Sequence, residues 1–104
     1  MQETTGAVYL GMNGTFYELG GITINIYDEN DQFITALLSK PNGRFSFLGL
    51  RKGNYSASLD QIQLDKLQMV SDNAFLKFSL DNEAYEEAAM LLKFILRQKI
   101  TNTK

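Results

Sequence analysis

The sequence contains no cysteine. That removes any disulfide framework, any thiolate nucleophile and every cysteine-type zinc site, and it leaves the redox compartment open. Histidine is absent as well, and with it go the commonest metal ligand and the commonest general base near neutral pH. Proline occurs once, at Pro41, inside a turn-like stretch. No apolar run approaches the roughly 20 residues that span a bilayer. Net charge is only −2, from 10 basic and 12 acidic residues, so there is no electrostatic reason to expect nucleic acid or an anionic membrane as partner. The segment Met1 to Gly6 lacks the basic and apolar blocks of a secretory signal. The chain is therefore read either as cytosolic or as a mature or excised segment.

What is present is enough apolar material for one core. The chain has 104 residues, of which 44% are hydrophobic and 12% aromatic, the balance of a packed globule and not of a disordered tail. One domain over 1–104 is expected, with loose ends at 1–5 and 99–104. Lys93, Arg97, Lys99 and Lys104 gather near the C-terminus, and acids gather at 28–31 and 83–87. Both groups read as solvated strand ends and turns.

Alternation of apolar and polar residues recurs along most of the chain and predicts short half-buried strands. Val8 and Leu10 mark the first, followed by a flexible turn at Gly11-Met12-Asn13-Gly14. Ile22, Ile24 and Ile26 alternate with Thr23, Asn25 and Tyr27 in the clearest strand. After a turn at Asp28-Glu29-Asn30-Asp31, residues 33–38 are apolar on both faces, which predicts a strand central in its sheet. The run Ser39 to Tyr55 couples two turns to two strands. Asn42-Gly43 offers the positive φ of a tight hairpin, Phe45 and Phe47 share a face, Gly49 to Asn54 close that strand, and Tyr55, Ala57 and Leu59 open the next.

Between Asp60 and Gln68 the period becomes helical. Asp60 with Gln63 reads as a capping box, Leu59 with Leu64 as a hydrophobic staple, and Leu64 and Leu67 share a face, so a short helix connecting strands is expected near 60–68. Leu76, Phe78 and Leu80 restore the strand period. Residues 82–99 fit two patterns. Tyr85, Ala89, Leu92 and Ile95 or Leu96 make a helical stripe with Glu86, Glu87, Lys93 and Arg97 opposite, whereas Leu92, Phe94 and Leu96 make a strand. The strand, from about Leu91 to Gln98, is preferred because a β-sandwich needs a closing strand.

Groups that could do chemistry are few. An enzyme would need a carboxylate pair, a lysine or a serine-lysine couple. Asp28, Glu29 and Asp31 are the densest acid cluster, but they lack the glycine and distal glutamate of an EF-hand loop and read as a polar hairpin turn. Ser39 and Lys40 are adjacent and would point to opposite faces of a strand. The aromatic residues Tyr9, Phe16, Tyr17, Tyr27 and Tyr55 could form a stacking platform for sugar, with Tyr9, Tyr17 and Tyr27 as the ligand-contact candidates. Packing against a neighbouring domain competes with that reading, and basic residues that would track phosphates are missing.

Taken in order, Gly6-Ala7-Val8-Tyr9-Leu10, Asn13-Gly14, Gly21 to Asp28, Pro41 to Leu50, Gly53-Asn54-Tyr55 and Leu59-Asp60 resemble the carboxypeptidase regulatory-like and Sdr/Cna B-type domains. The motif positions are Asn42, Gly43, Phe45, Phe47, Gly49, Gly53 and Tyr55. The resemblance covers about residues 6–60, and it extends more loosely to the tail, which is similar to versions in large surface proteins of Bacteroidetes-like bacteria. It implies an all-β, immunoglobulin-like or prealbumin-like (transthyretin-like) antiparallel sandwich of about seven strands. It also implies a non-catalytic module of a larger extracytoplasmic bacterial protein, at the cell surface, outer membrane or periplasm, acting as spacer, stalk or presentation domain, with no cofactor and no bound metal. Its partners would be other domains of the same polypeptide, with polysaccharide or a surface protein as further candidates and no membrane insertion. The alternatives are a carbohydrate-binding module using the tyrosines and a docking module that works through a sheet edge. Two chemistries of the relatives find no match in the residues. The first loop retains only Glu18 of the calcium-binding acids, and the strand Ile22 to Tyr27 has no lysine for an isopeptide crosslink.

Overall fold

The alternating apolar residues become the inner faces of two stacked sheets. A computed structural model of the chain describes residues 3–73, 75–80 and 90–99. Over those residues the order is β1 (Glu3–Met12), β2 (Thr15–Glu18), β3 (Thr23–Asp28), β4 (Phe33–Leu38), β5 (Arg44–Leu48), β6 (Gly53–Leu59), α1 (Gln61–Leu67), β7 (Met69–Ser71), β8 (Phe75–Leu80) and β9 (Met90–Gln98). The first sheet runs β2-β1-β9-β7, with β5 also pairing to β1, and the second is four-stranded in the order β4-β3-β6-β8. This is the expected immunoglobulin-like sandwich with one short helix. No helix among the described residues is long and apolar enough to cross a membrane.

The core is where the two periodicities meet. Val8, Leu92, Phe94 and Leu96 face inward from the first sheet, Ile24, Ile26, Ala57, Leu59, Phe78 and Leu80 from the second, and Leu50 and Leu64 fill from a loop and from α1. Full burial of a ring such as Phe94 is worth about 1.5–3 kcal/mol. Phe45 lies beside it with ring centroids 6.5 Å apart. The parallel pairing of β1 with β9 sets Gly6 opposite Leu92 and Val8 opposite Phe94.

Several expectations need correction. The pairing of β1 with β9 is parallel, not antiparallel. The first and last strands meet as neighbours after the chain has crossed between sheets, and that connection, not the residue pattern, sets their direction. Two strands add to the expected count: β2 folds back on β1 through the Asn13-Gly14 turn, and three-residue β7 follows the helix. β1 begins at Glu3, ahead of Val8, with Thr4 fully buried opposite Phe47, so Glu3, Thr4 and Thr5 belong to the sandwich and not to a loose end. β4 is an edge strand, not a central one, and Phe33, Ile34 and Leu38 are exposed on it. The strand expected over 91–98 is β9. Residues 82–89, and with them the helical stripe from Tyr85 and the acids at 83–87, lie outside the described residues, as do 1, 2 and 100–104.

The helix is where expected, but its polar contacts differ. The Asp60 side chain makes no capping hydrogen bond. Gln63 turns instead to the start of β3, accepting from the Thr23 N–H (2.8 Å) and donating to the Gly21 carbonyl (2.8 Å). Leu64 is buried as anticipated while Leu67 is exposed, since one helical turn rests on the core.

The run from Ser39 to Tyr55 carries the chain from the second sheet to β5 of the first and back to β6. The Gly43 N–H donates to the Lys40 carbonyl (2.7 Å), and the Lys40 N–H donates to the Arg44 carbonyl (2.9 Å). Pro41 and Asn42 are thus the central turn residues, and only Gly43 takes positive φ, at 82°. Its carbonyl accepts from Val8 N–H (2.8 Å), and an added Cβ would come within 2.7 Å of the Val8 oxygen. The turn is therefore fastened to β1 while its arms, β4 and β5, diverge into different sheets. Phe45 is buried and Phe47 half-buried on the shared inner face.

Gly6 is the tightest point of the first sheet. A methyl group there would collide with the Phe45 ring and lie 2.5 Å from the Leu92 carbonyl oxygen. Gly6→Ala should destabilise the chain by about 1–3 kcal/mol through overpacking. Denaturant unfolding checks this, with a lowered midpoint at unchanged slope as the expected result.

Candidate functional site

The three ligand-contact tyrosines do not share a surface. Tyr9 stands on the side of β1 opposite Val8 and Leu10, with Glu18 as its cross-strand neighbour. Tyr17 pairs with Leu10, so it lies on the other face of that sheet, 49% exposed. Tyr27 belongs to the second sheet, turned away from Ile24 and Ile26, and meets Phe33 edge-on at 5.9 Å. Sequence spacing identified which residues leave the core face, but not which sheet each joins.

Tyr55 has a structural position. It shares the inner face of β6 with Ala57 and Leu59, stacks on Phe78 at 5.6 Å, and donates its hydroxyl to the Arg51 carbonyl (2.7 Å). A tyrosine near the start of a strand bonding back to backbone a few residues upstream is a corner fastening of immunoglobulin-type sandwiches. Here it ties β6 to the Arg51 carbonyl in the loop that follows β5.

The acidic and nucleophilic candidates are likewise engaged in backbone structure. Asp28 Oδ1 accepts from the N–H groups of Asn30 (2.8 Å) and Gln32 (2.9 Å), and the Asp31 N–H donates to the Asp28 carbonyl (2.9 Å). The cluster is a self-closed turn, and among the described residues no group of three or more acids converges to hold a metal ion. Ser39 is buried; its hydroxyl donates to the Leu19 carbonyl (2.9 Å) and accepts from the Ile22 N–H (3.0 Å). Lys40, its sequence neighbour, is exposed. Arg97 is not simply solvated. It grips Asp72 with Nε–Oδ1 at 2.9 Å and a second bond from the guanidinium at 3.0 Å. The hydrogen bond and charge of Asp72 push its already high pKa further up. Gly11 leaves room for this clamp, since a Cβ there would lie 2.9 Å from Arg97 Nη1.

The surface feature that remains is a shallow cleft on the outer face of the second sheet, about 880 Å³ in volume. Asn54, Ser56 and Ser58 of β6 and Phe75, Lys77 and Ser79 of β8 line it, and the acidic turn after β3 forms its rim. Ser79 Oγ donates to Asn54 Oδ1 (2.7 Å), and Asn54 Nδ2 donates to Glu29 Oε1 (3.3 Å). Phe75 is 51% exposed, with Lys77 Nζ 5.9 Å from its ring centre. Hydroxyl, amide and carboxylate groups beside an exposed ring can bind a polar ligand with one apolar face. The sequence reading passed over these residues because they are the polar halves of alternating strands; the signal was the unbroken polar series Asn54, Ser56, Ser58 facing Phe75.

No protein-family model matches this chain, and no characterised protein matches it in sequence. Solved structures do match. GBS52, the minor pilin of the Gram-positive pathogen Streptococcus agalactiae, superposes over 99% of this chain with a TM-score of 0.77 at 13% identity. The Bacillus anthracis TIE protein superposes over 93% of it with a TM-score of 0.61 at 14% identity. The chain spans 47% of the length of the first and 18% of the second. At such identities the likeness establishes the fold: one immunoglobulin-like sandwich, similar to a unit within longer proteins.

Removing only the corner hydroxyl tests its role. Tyr55→Phe should keep the ring stack and cost about 1 kcal/mol of stability. The check is a lowered thermal midpoint with unchanged far-UV circular dichroism.

Proposed function

We propose that this chain is a non-catalytic spacer or presentation module of a larger extracytoplasmic bacterial protein, related to the carboxypeptidase regulatory-like and Sdr/Cna B-type domains. The observation that carries the reading is the parallel pairing of β1 with β9 from Thr4–Met90 to Leu10–Leu96. Because these strands run in the same direction side by side, the polypeptide enters β1 at one end of the sandwich and leaves β9 at the other. Such a unit inserted in a longer chain adds length between its neighbours. Two further facts support it: the fold is that of a unit in a pilin, and Ser39 and Asp28 are committed to backbone bonds. On this reading its partners are the adjoining domains of the same polypeptide.

The geometry has a mechanical consequence. Force applied at Glu3 and Lys99 loads the β1–β9 hydrogen bonds together in shear, whereas force applied at Asn13 and Lys99 peels them one by one. Single-molecule pulling should therefore give a clearly higher unfolding force for the first pair of attachment points. Equal forces would remove the mechanical basis of the spacer reading.

The cleft over β6 and β8 favours a second reading, a saccharide-binding module in which Phe75 replaces the tyrosines as the stacking surface. Nuclear magnetic resonance titration with oligosaccharides should shift the amides of Asn54, Ser56 and Lys77, and Phe75→Ala should abolish the shifts. Absence of shifts, or shifts unaffected by the substitution, would leave the spacer role alone.

A further inference from the structure

The edges of the two sheets are guarded unequally. An open strand edge offers unpaired backbone groups to any other strand, and proteins blunt such edges with charge, proline or shortness. Among the described strands, β7 has three residues, β2 has four and ends in Glu18, β5 opens with Arg44, and β8 carries Lys77 near its middle. β4, by contrast, reads Phe33-Ile34-Thr35-Ala36-Leu37-Leu38, with no charge and no proline. Leu38 is 62% exposed and Phe33 59%.

The free backbone of β4 points in a definite direction. Ser39 faces β3, since its N–H donates to the Ile22 carbonyl (2.9 Å) and its carbonyl accepts from the Gly21 N–H (2.8 Å). In an antiparallel ladder the direction alternates residue by residue, so the N–H and C=O groups of Leu38 and Ala36 turn outward. A bulge at Ile34 returns Phe33 to Tyr27 and ends the regular edge there.

We propose that β4 is a self-association edge, through which two copies of this chain pair antiparallel about a two-fold axis at Ala36. In that register Ala36 meets Ala36 on the axis, Ile34 of one copy faces Leu38 of the other on the outer side, and Thr35 faces Leu37 on the inner side. A second copy fits because the complement this edge requires is an uncharged strand with a small residue at its centre and branched apolar residues two positions away, and β4 is itself such a strand. No charge is placed opposite a like charge, the usual penalty against self-pairing. The contact is isologous, so both edges are consumed and assembly stops at the dimer. Two four-stranded sheets become one continuous sheet, and β4 acquires the central position its composition matches.

The contact is one short strand, below the roughly 1,200 Å² of stable interfaces, so the dimer should be weak and visible as concentration-dependent exchange. Sedimentation equilibrium of the 104-residue chain from micromolar to millimolar concentration is expected to fit a monomer–dimer equilibrium. Amide exchange should slow at Ala36 and Leu38 as concentration rises. Ala36→Pro deletes an outward N–H and Leu38→Lys sets a charge in the pairing row; each should weaken dimerisation by roughly tenfold or more. Leu38 is already exposed, so that variant keeps the test valid if the proline variant fails to fold. A chain monomeric throughout, or a dimer unaffected by Leu38→Lys, would overturn the proposal.

Discussion

β1 is the strand on which the first sheet depends, and its dependence is reciprocal. One edge of it holds two partners in succession, β5 along Glu3 to Ala7 and β2 along Tyr9 to Met12, while its other edge pairs with β9. Three strands thus have their register set by one. The inner face of that ladder, with Val8 beside Phe94, supplies one wall of the core. The close approach at Gly6 lets the Phe45 ring lie across β1, and Gly43 ties the inter-sheet turn to the Val8 backbone. Packing and hydrogen bonding converge on the same few residues, which makes this strand less tolerant of added volume than its small side chains imply.

The two sheets differ in character. The first contains the parallel ladder, the Arg97–Asp72 clamp across its outer end, and the turn anchored to Val8. The second, in which only β3 and β4 follow one another directly while β5 intervenes before β6 and β7 before β8, carries the exposed features, the polar cleft on β6 and β8 and the bare edge of β4. The parallel ladder and the polar cleft therefore lie on opposite sides of the core. A change on the outer face of the second sheet need not disturb the connection between the chain's entry and exit.

Period-two alternation located most strands because half-burial imposes it: Ile24 and Ile26, Phe45 and Phe47, and Leu92, Phe94 and Leu96 all point inward as their spacing required. The same pattern could not say where in a sheet a strand lies. β4 is apolar on both faces yet sits at an edge, since composition reports affinity for burial and not the presence of a neighbour. Nor could it give the direction of β9, which depends on the connection between sheets, or reveal β7, whose three residues are too few for alternation to repeat. Gln63 occupied a capping-box position but bonded to β3, because a tertiary acceptor and donor lay within its reach. For the candidate site, alternation placed Tyr9 and Tyr27 off the core face and left unsaid that they belong to opposite sides of the sandwich. The serines opposite Phe75 were legible only as solvent-facing residues, since their grouping requires the register of β6 against β8.

The parallel neighbours β1 and β9 also set the order of folding events. Every strand of the second sheet precedes residue 81, so that sheet has all its partners while β9 is still missing. During that interval the inner faces of β3 and β6 have only part of their cover, and β1 lacks the strand that completes its ladder. Pairing between strands as far apart in sequence as β1 and β9 closes a long loop and forms slowly. In a nascent chain, β9 is therefore the element whose arrival lets the sandwich close.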